Sequence, residues 1–82
     1  MRILDNETGK PLVDIGLYLT PSEAREMSHA LDHLLTKPED HHIHLNDEGY
    51  QREVTLAVYT EGNLNEFDEQ SRRLITGLHA RL

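Results

Sequence analysis

Cysteine and tryptophan are absent from this chain of 82 residues, and only four residues are aromatic. Without cysteine there is no disulfide framework, no thiolate zinc site and no cysteine nucleophile. Basic residues are scarce: eight Lys and Arg stand against 15 Asp and Glu, for a formal charge of −7. That balance argues against a nucleic-acid surface, which needs clustered cations to displace counterions from phosphates. The acidic residues alternate with apolar positions instead of forming one stripe, which argues against a nucleic-acid mimic as well. Long apolar runs are missing too; none approaches the roughly 20 residues of a membrane-spanning helix. The start, Met1-Arg2-Ile3-Leu4-Asp5, becomes charged before an apolar stretch can serve as a signal peptide. A soluble cytoplasmic protein with no membrane association is expected. The length suits one small domain over residues 1–82 with a modest core, and domains of this size often gain stability by pairing with a copy of themselves. A homodimer is therefore expected.

The remaining residues are patterned. Ile3-Leu4 reads as a short strand, followed by a turn over residues 6–10 in which Gly9 can take a positive φ. From Pro11 to Leu19 the chain alternates, with Val13, Ile15, Leu17 and Leu19 on one face and Asp14, Gly16 and Tyr18 on the other. The two runs predict a hairpin. Thr20-Pro21-Ser22-Glu23 then announces a helix: Thr20 as N-cap, Pro21 at the first helical position, Glu23 closing a capping box. Ala24, Met27, Leu31, Leu34 and Leu35 make its apolar stripe, and Lys37-Pro38 ends it.

A third strand is predicted over His41 to Leu45 and a fourth over Arg52 to Thr60, joined by the turn Asn46-Asp47-Glu48-Gly49. After the loop Glu61-Gly62-Asn63 a second helix should begin between Asn65 and Asp68. Its stripe is Phe67, Leu74, Ile75, Leu78 and Leu82; Asp68 and Glu69 suit its positive end, and Arg72, Arg73 and Arg81 its carbonyl end. The order ββαββα predicts an α+β fold, with a four-stranded, mainly antiparallel sheet and two helices on one face.

Strand parity then singles out a surface. If Ile43, Leu45, Val54, Leu56 and Val58 face the helices, the reverse face carries His42, His44, Glu53, Thr55, Ala57 and Tyr59, with Tyr18 from the second strand. Two histidines, two tyrosines and small residues differ from an ordinary solvated face, which carries more Lys and Glu. Aromatic side chains are enriched where surfaces become buried. Tyr18, His42, His44, Thr55 and Tyr59 are the candidate binding residues. A metal reading stands beside this one: imidazoles at i and i+2 on a strand can share a zinc ion, with Glu53 across the hairpin as third ligand. Against it, parity turns His41 to the other face and no fourth ligand is evident. His29 and His33 share a helix face, but His29-Ala30-Leu31-Asp32-His33 lacks the Glu of a zinc-protease helix, so a solvated face is the better account.

Signals for catalysis are few. Ser22, Ser28 and Ser71 fall in predicted helices and none lies in a nucleophile elbow. The five glycines are dispersed, so no loop is built to cradle phosphate. Most carboxylates fall at helix starts and turns, where capping and solubility explain them. A non-enzymatic protein without a cofactor is expected. The helix followed by His42-Ile43-His44-Leu45 and an alternating strand resembles the immunity protein 32 family, among small bacterial α+β domains of the toxin-immunity type. The resemblance covers those four residues and leaves the C-terminal helix outside. It implies a non-catalytic protein that binds and neutralises a partner toxin, and it carries over no functional residue.

Overall fold

The computed structural model describes residues 1–77, and the expected positions Leu78, Arg81 and Leu82 lie outside them. The protein is α+β, and its contacts gather into two units: Met1–Leu17 together with the chain from Leu64 onward, and Tyr18–Asn63. Among the described residues four strands form two separate two-stranded antiparallel sheets, where alternation predicted one sheet of four with both helices on one face.

In the first unit β1 (Ile3–Leu4) pairs with β2 (Pro11–Leu12), Ile3 opposite Leu12. Asp5 shapes the turn: its carboxylate accepts from the Glu7 and Thr8 amides at 2.9 and 3.3 Å. Gly9, at φ 74°, returns its N–H to the Asp5 carbonyl at 2.8 Å. The expected long second strand, Pro11 to Leu19, is corrected here. The ladder of a two-residue β1 ends at Leu12, and Val13 to Leu19 lie in no strand. A short 3₁₀ turn, Leu64–Glu66, precedes helix α2 (Glu69–Thr76). Asp68 is its N-cap, accepting from the Ser71 amide at 2.7 Å, and Gly77 ends it in the left-handed region at φ 84°. Leu74 is the buried side chain of α2, and Arg2 donates from Nε to the Ile75 carbonyl at 3.3 Å.

The second unit is larger. Helix α1 (Pro21–Thr36) begins with the predicted capping box: Thr20 Oγ1 accepts from the Glu23 amide at 3.1 Å, and the Glu23 carboxylate accepts from the Thr20 amide at 2.9 Å. Both orphan donors are thereby satisfied. A 3₁₀ turn, Pro38–Asp40, leads into β3 (His42–Asn46), which pairs antiparallel with β4 (Glu53–Ala57). Helix α1 packs against both strands.

The core face of α1 differs from the predicted stripe. Ala30 and Leu34 are buried, with Glu23 and Met27 half-buried on the same line, whereas Ala24 is exposed and Leu31 and Leu35 are 41% and 69% exposed. Spacing identifies large apolar residues; the observed seam runs through the small Ala30, 6% exposed. Leu31 and Leu35 each follow a seam residue by one position, about 100° around the helix, and fall on its flank.

Candidate functional site

Along β3 the exposure alternates without interruption: His42, His44 and Asn46 exposed, Ile43 and Leu45 half-buried. On β4 the half-buried Val54 and Leu56 lie opposite Leu45 and Ile43, so the aliphatic side chains share the face that meets α1. The outward pairs are His42 with Ala57, His44 with Thr55, and Asn46 with Glu53. Strand parity therefore gathers three of the five candidate binding residues, His42, His44 and Thr55, on one surface. Tyr59 lies past the end of β4 and is 39% exposed. Tyr18 is 94% exposed in the segment that forms no strand, so it does not extend this sheet.

Both ends of the hairpin are held by side chains that bind main chain. At the turn, the Asp47 carboxylate accepts from the Gln51 and Arg52 amides at 2.8 and 3.2 Å, with the Arg52 guanidinium 3.4 Å from its other oxygen. These amides, followed by the guanidinium, hold the Asp47 carboxyl below the usual carboxylate range. At the open end Asn63 is buried, 6% exposed. Its amide nitrogen donates to the Val58 carbonyl at 2.9 Å and the Pro38 carbonyl at 3.4 Å, while its oxygen accepts from the Thr60 amide at 2.7 Å. Loop chemistry alone marks Asn63 as a turn residue; its role as the polar anchor between the 3₁₀ turn and the end of β4 depends on contacts 25 residues apart.

The histidines form a cluster of three rather than two. His41 precedes β3 and takes φ 38°, in the left-handed region, with its N–H donating to the Pro38 carbonyl at 3.2 Å. Parity does not govern a residue in that conformation. Its ring stacks on His42, centroids 4.6 Å apart, instead of turning to the opposite face. The two Nδ1 atoms lie 2.8 Å apart, so one carries the shared proton and donates while the other accepts. The His42 and His44 rings meet edge to face at 5.0 Å. Desolvation, and then the neighbouring His41 and His44, push the His42 imidazole below its ordinary value. His44 Nδ1 contacts Thr55 Oγ1 at 2.9 Å, with the Glu53 carboxylate 3.6 Å away.

This arrangement engages each Nδ1 locally, and among the described residues no group of three or more His, Asp or Glu is placed to hold one metal ion. The helical pair separates as well. His33 Nε2 is 2.6 Å from the Asp40 carboxylate, tying the end of α1 to the 3₁₀ turn. Beside the outward face, His44, Asn46 and Tyr50 border an open groove of about 410 Å³ with Glu23, Glu26 and Glu48. Glu23 is used in the helix cap and Asp47, which also lines the groove, in the hairpin turn, which leaves Glu26 and Glu48 as the carboxylates offered to a ligand. No helix among the described residues is long and apolar enough to cross a membrane. No family model, curated protein or solved structure matches the chain.

Proposed function

We propose that the chain is a small, non-catalytic, cytoplasmic binding protein whose contact surface is the outward face of β3–β4 around His42, His44, Thr55 and Tyr59. The observation that carries this reading is the cluster of three imidazoles, stacked and edge-on, on a face with the small Ala57 and no Lys or Arg. The adjoining groove with Glu26 and Glu48, in a chain of charge −7, supports a protein partner that presents a basic patch. The resemblance of His42–Leu45 to immunity proteins supports the narrower reading in which that partner is a toxin blocked by binding. Protonated histidines would face a basic partner with like charge, so acid weakens the complex.

Quantitative affinity capture with the wild-type chain and a His42→Ala/His44→Ala/Tyr59→Ala variant tests the proposal. A specific protein should bind the first and not the second, then titrate stoichiometrically by calorimetry at pH 7 and more weakly at pH 5.5. Identical capture by both chains would remove the face from consideration. A second reading, divalent metal binding at His42, His44 and Glu53, draws on the edge-to-face contact of the two imidazoles and on the Glu53 carboxylate 3.6 Å from His44. Zinc titration separates the two: stoichiometric heat lost in His42→Ala favours metal, and no heat at micromolar zinc leaves the protein-binding reading.

A further inference from the structure

His41 joins the 3₁₀ turn to β3 at φ 38° and ψ −27°, a main-chain conformation that residues with a side chain seldom adopt. Its surroundings over-determine that path. The His41 N–H donates to the Pro38 carbonyl at 3.2 Å, and its carbonyl accepts from the Val58 amide at 3.2 Å. Asn63 ties those two residues to each other, donating to the Val58 carbonyl at 2.9 Å and the Pro38 carbonyl at 3.4 Å. Asp40, one position earlier, is held to the end of α1 by His33 at 2.6 Å. Glycine follows such a path without strain, so the turn accounts for the main chain at residue 41 and not for an imidazole there.

The ring has a use of its own. The positive φ brings it to the side of β3 that carries His42, where the two Nδ1 atoms meet at 2.8 Å. His42 is thereby held on two sides, by this hydrogen bond and by the edge of the His44 ring at 5.0 Å. His44 is fixed in turn by Thr55 Oγ1 at 2.9 Å. With Nδ1 engaged, Nε2 is the His42 nitrogen without a hydrogen-bond partner among the described residues. His41 is half-buried, whereas His42 and His44 are exposed, so His41 supports the surface more than it forms it. An exposed side chain without such support samples several rotamers, and fixing one of them on association costs affinity. We propose that His41 is a positioning residue for the binding face: its ring holds the His42 imidazole in one orientation, with Nε2 left for the partner, before any partner arrives. The gain in affinity rests on the binding reading above; the ordering of the ring does not.

Nuclear magnetic resonance at about pH 8, where ordinary imidazoles are neutral, reads that ordering directly. The wild-type chain should show a scalar coupling between the two Nδ1 nuclei across the hydrogen bond, and cross-relaxation between the His42 and His44 rings. In His41→Gly, which keeps the main-chain path, the cross-relaxation should fall as His42 samples other rotamers, with the far-UV spectrum retained. Absence of the coupling in the wild-type chain, or unchanged cross-relaxation in His41→Gly, would overturn the proposal. Toward the protein captured by the wild-type chain, His41→Gly should weaken binding roughly 3- to 10-fold, and cause no further loss once His42 is replaced by alanine. An equal loss in the His42→Ala background would overturn it as well, because His41 would then act other than through His42. A wild-type chain that captures no protein removes the binding reading alone, and the resonance measurements still decide whether His41 orders His42.

Discussion

Tyr18–Asn63 and the unit containing the chain ends each combine a hairpin with a helix, at very different scale. In the former, five-residue strands accompany a helix of 16 residues, with Ala30, Leu34 and Asn63 buried. In the latter, two-residue strands accompany a helix of eight, and Leu74 is the buried apolar side chain among the described residues. Both helices are capped by side chains, Thr20 and Asp68. The cap of α1 is a reciprocal box and that of α2 a single side-chain bond; capping sets where a helix starts, whereas tertiary burial supplies most of its stability. The histidine cluster lies in the unit with the longer strands, whose face is wide enough to present several side chains.

The largest expected effect contrasts the two buried leucines. Leu34 is 0% exposed and Leu74 9%; Leu34→Ala should cost about 3–5 kcal/mol in urea unfolding, and Leu74→Ala about 2 kcal/mol, toward the lower end for such truncations. Equal losses would mean that the short helix is as tightly packed as the long one. Next comes Asn63→Ala, expected to cost about 2–3 kcal/mol because it leaves the Val58 carbonyl and Thr60 amide without the partners seen here. A loss below about 0.5 kcal/mol would show that water replaces the side chain at both groups.

The smallest expected effect is one of pH, and it belongs to the histidine-bearing unit. The folded His42 imidazole lies below its ordinary value, through desolvation and then through His41 and His44. The unfolded chain therefore binds more protons below about pH 6.5. Stability should be level above that point and fall on acidification from there toward the folded value. The Glu53 carboxylate, beside His44, moderates the positive charge that builds up. Urea midpoints measured from pH 7.5 to 5.5 should show the fall, and His42→Gln should flatten it. An unchanged slope in that variant would assign the acid sensitivity elsewhere.

What sequence reveals follows the same division. The capping box at Thr20 and the alternation from His42 to Asn46 were legible because each depends on neighbouring residues: a three-residue spacing, a two-residue period. The second helix, expected to begin between Asn65 and Asp68, begins one residue later, at Glu69, with Asp68 as its N-cap. Three features were not legible. His41 escapes parity because one backbone angle is positive, and nothing in His-His-Ile-His marks which histidine takes it. Asn63 looks like any loop asparagine until Pro38 and Val58 are brought to it. Val13 to Leu19 alternate as a strand does, but alternation supplies a face and not a partner, and β1 offers only two residues.

The side chains of Asp47 at one end of the β3–β4 hairpin and Asn63 at the other bind main-chain amides and carbonyls, with one guanidinium contact at Asp47. On the binding reading proposed above, architecture and recognition rest on different residues. On that reading, positions 42, 44, 55 and 57 can vary with the partner while the main-chain bonds of Asp47 and Asn63 keep the hairpin's shape. The same separation makes those four positions a natural library for engineering new specificities.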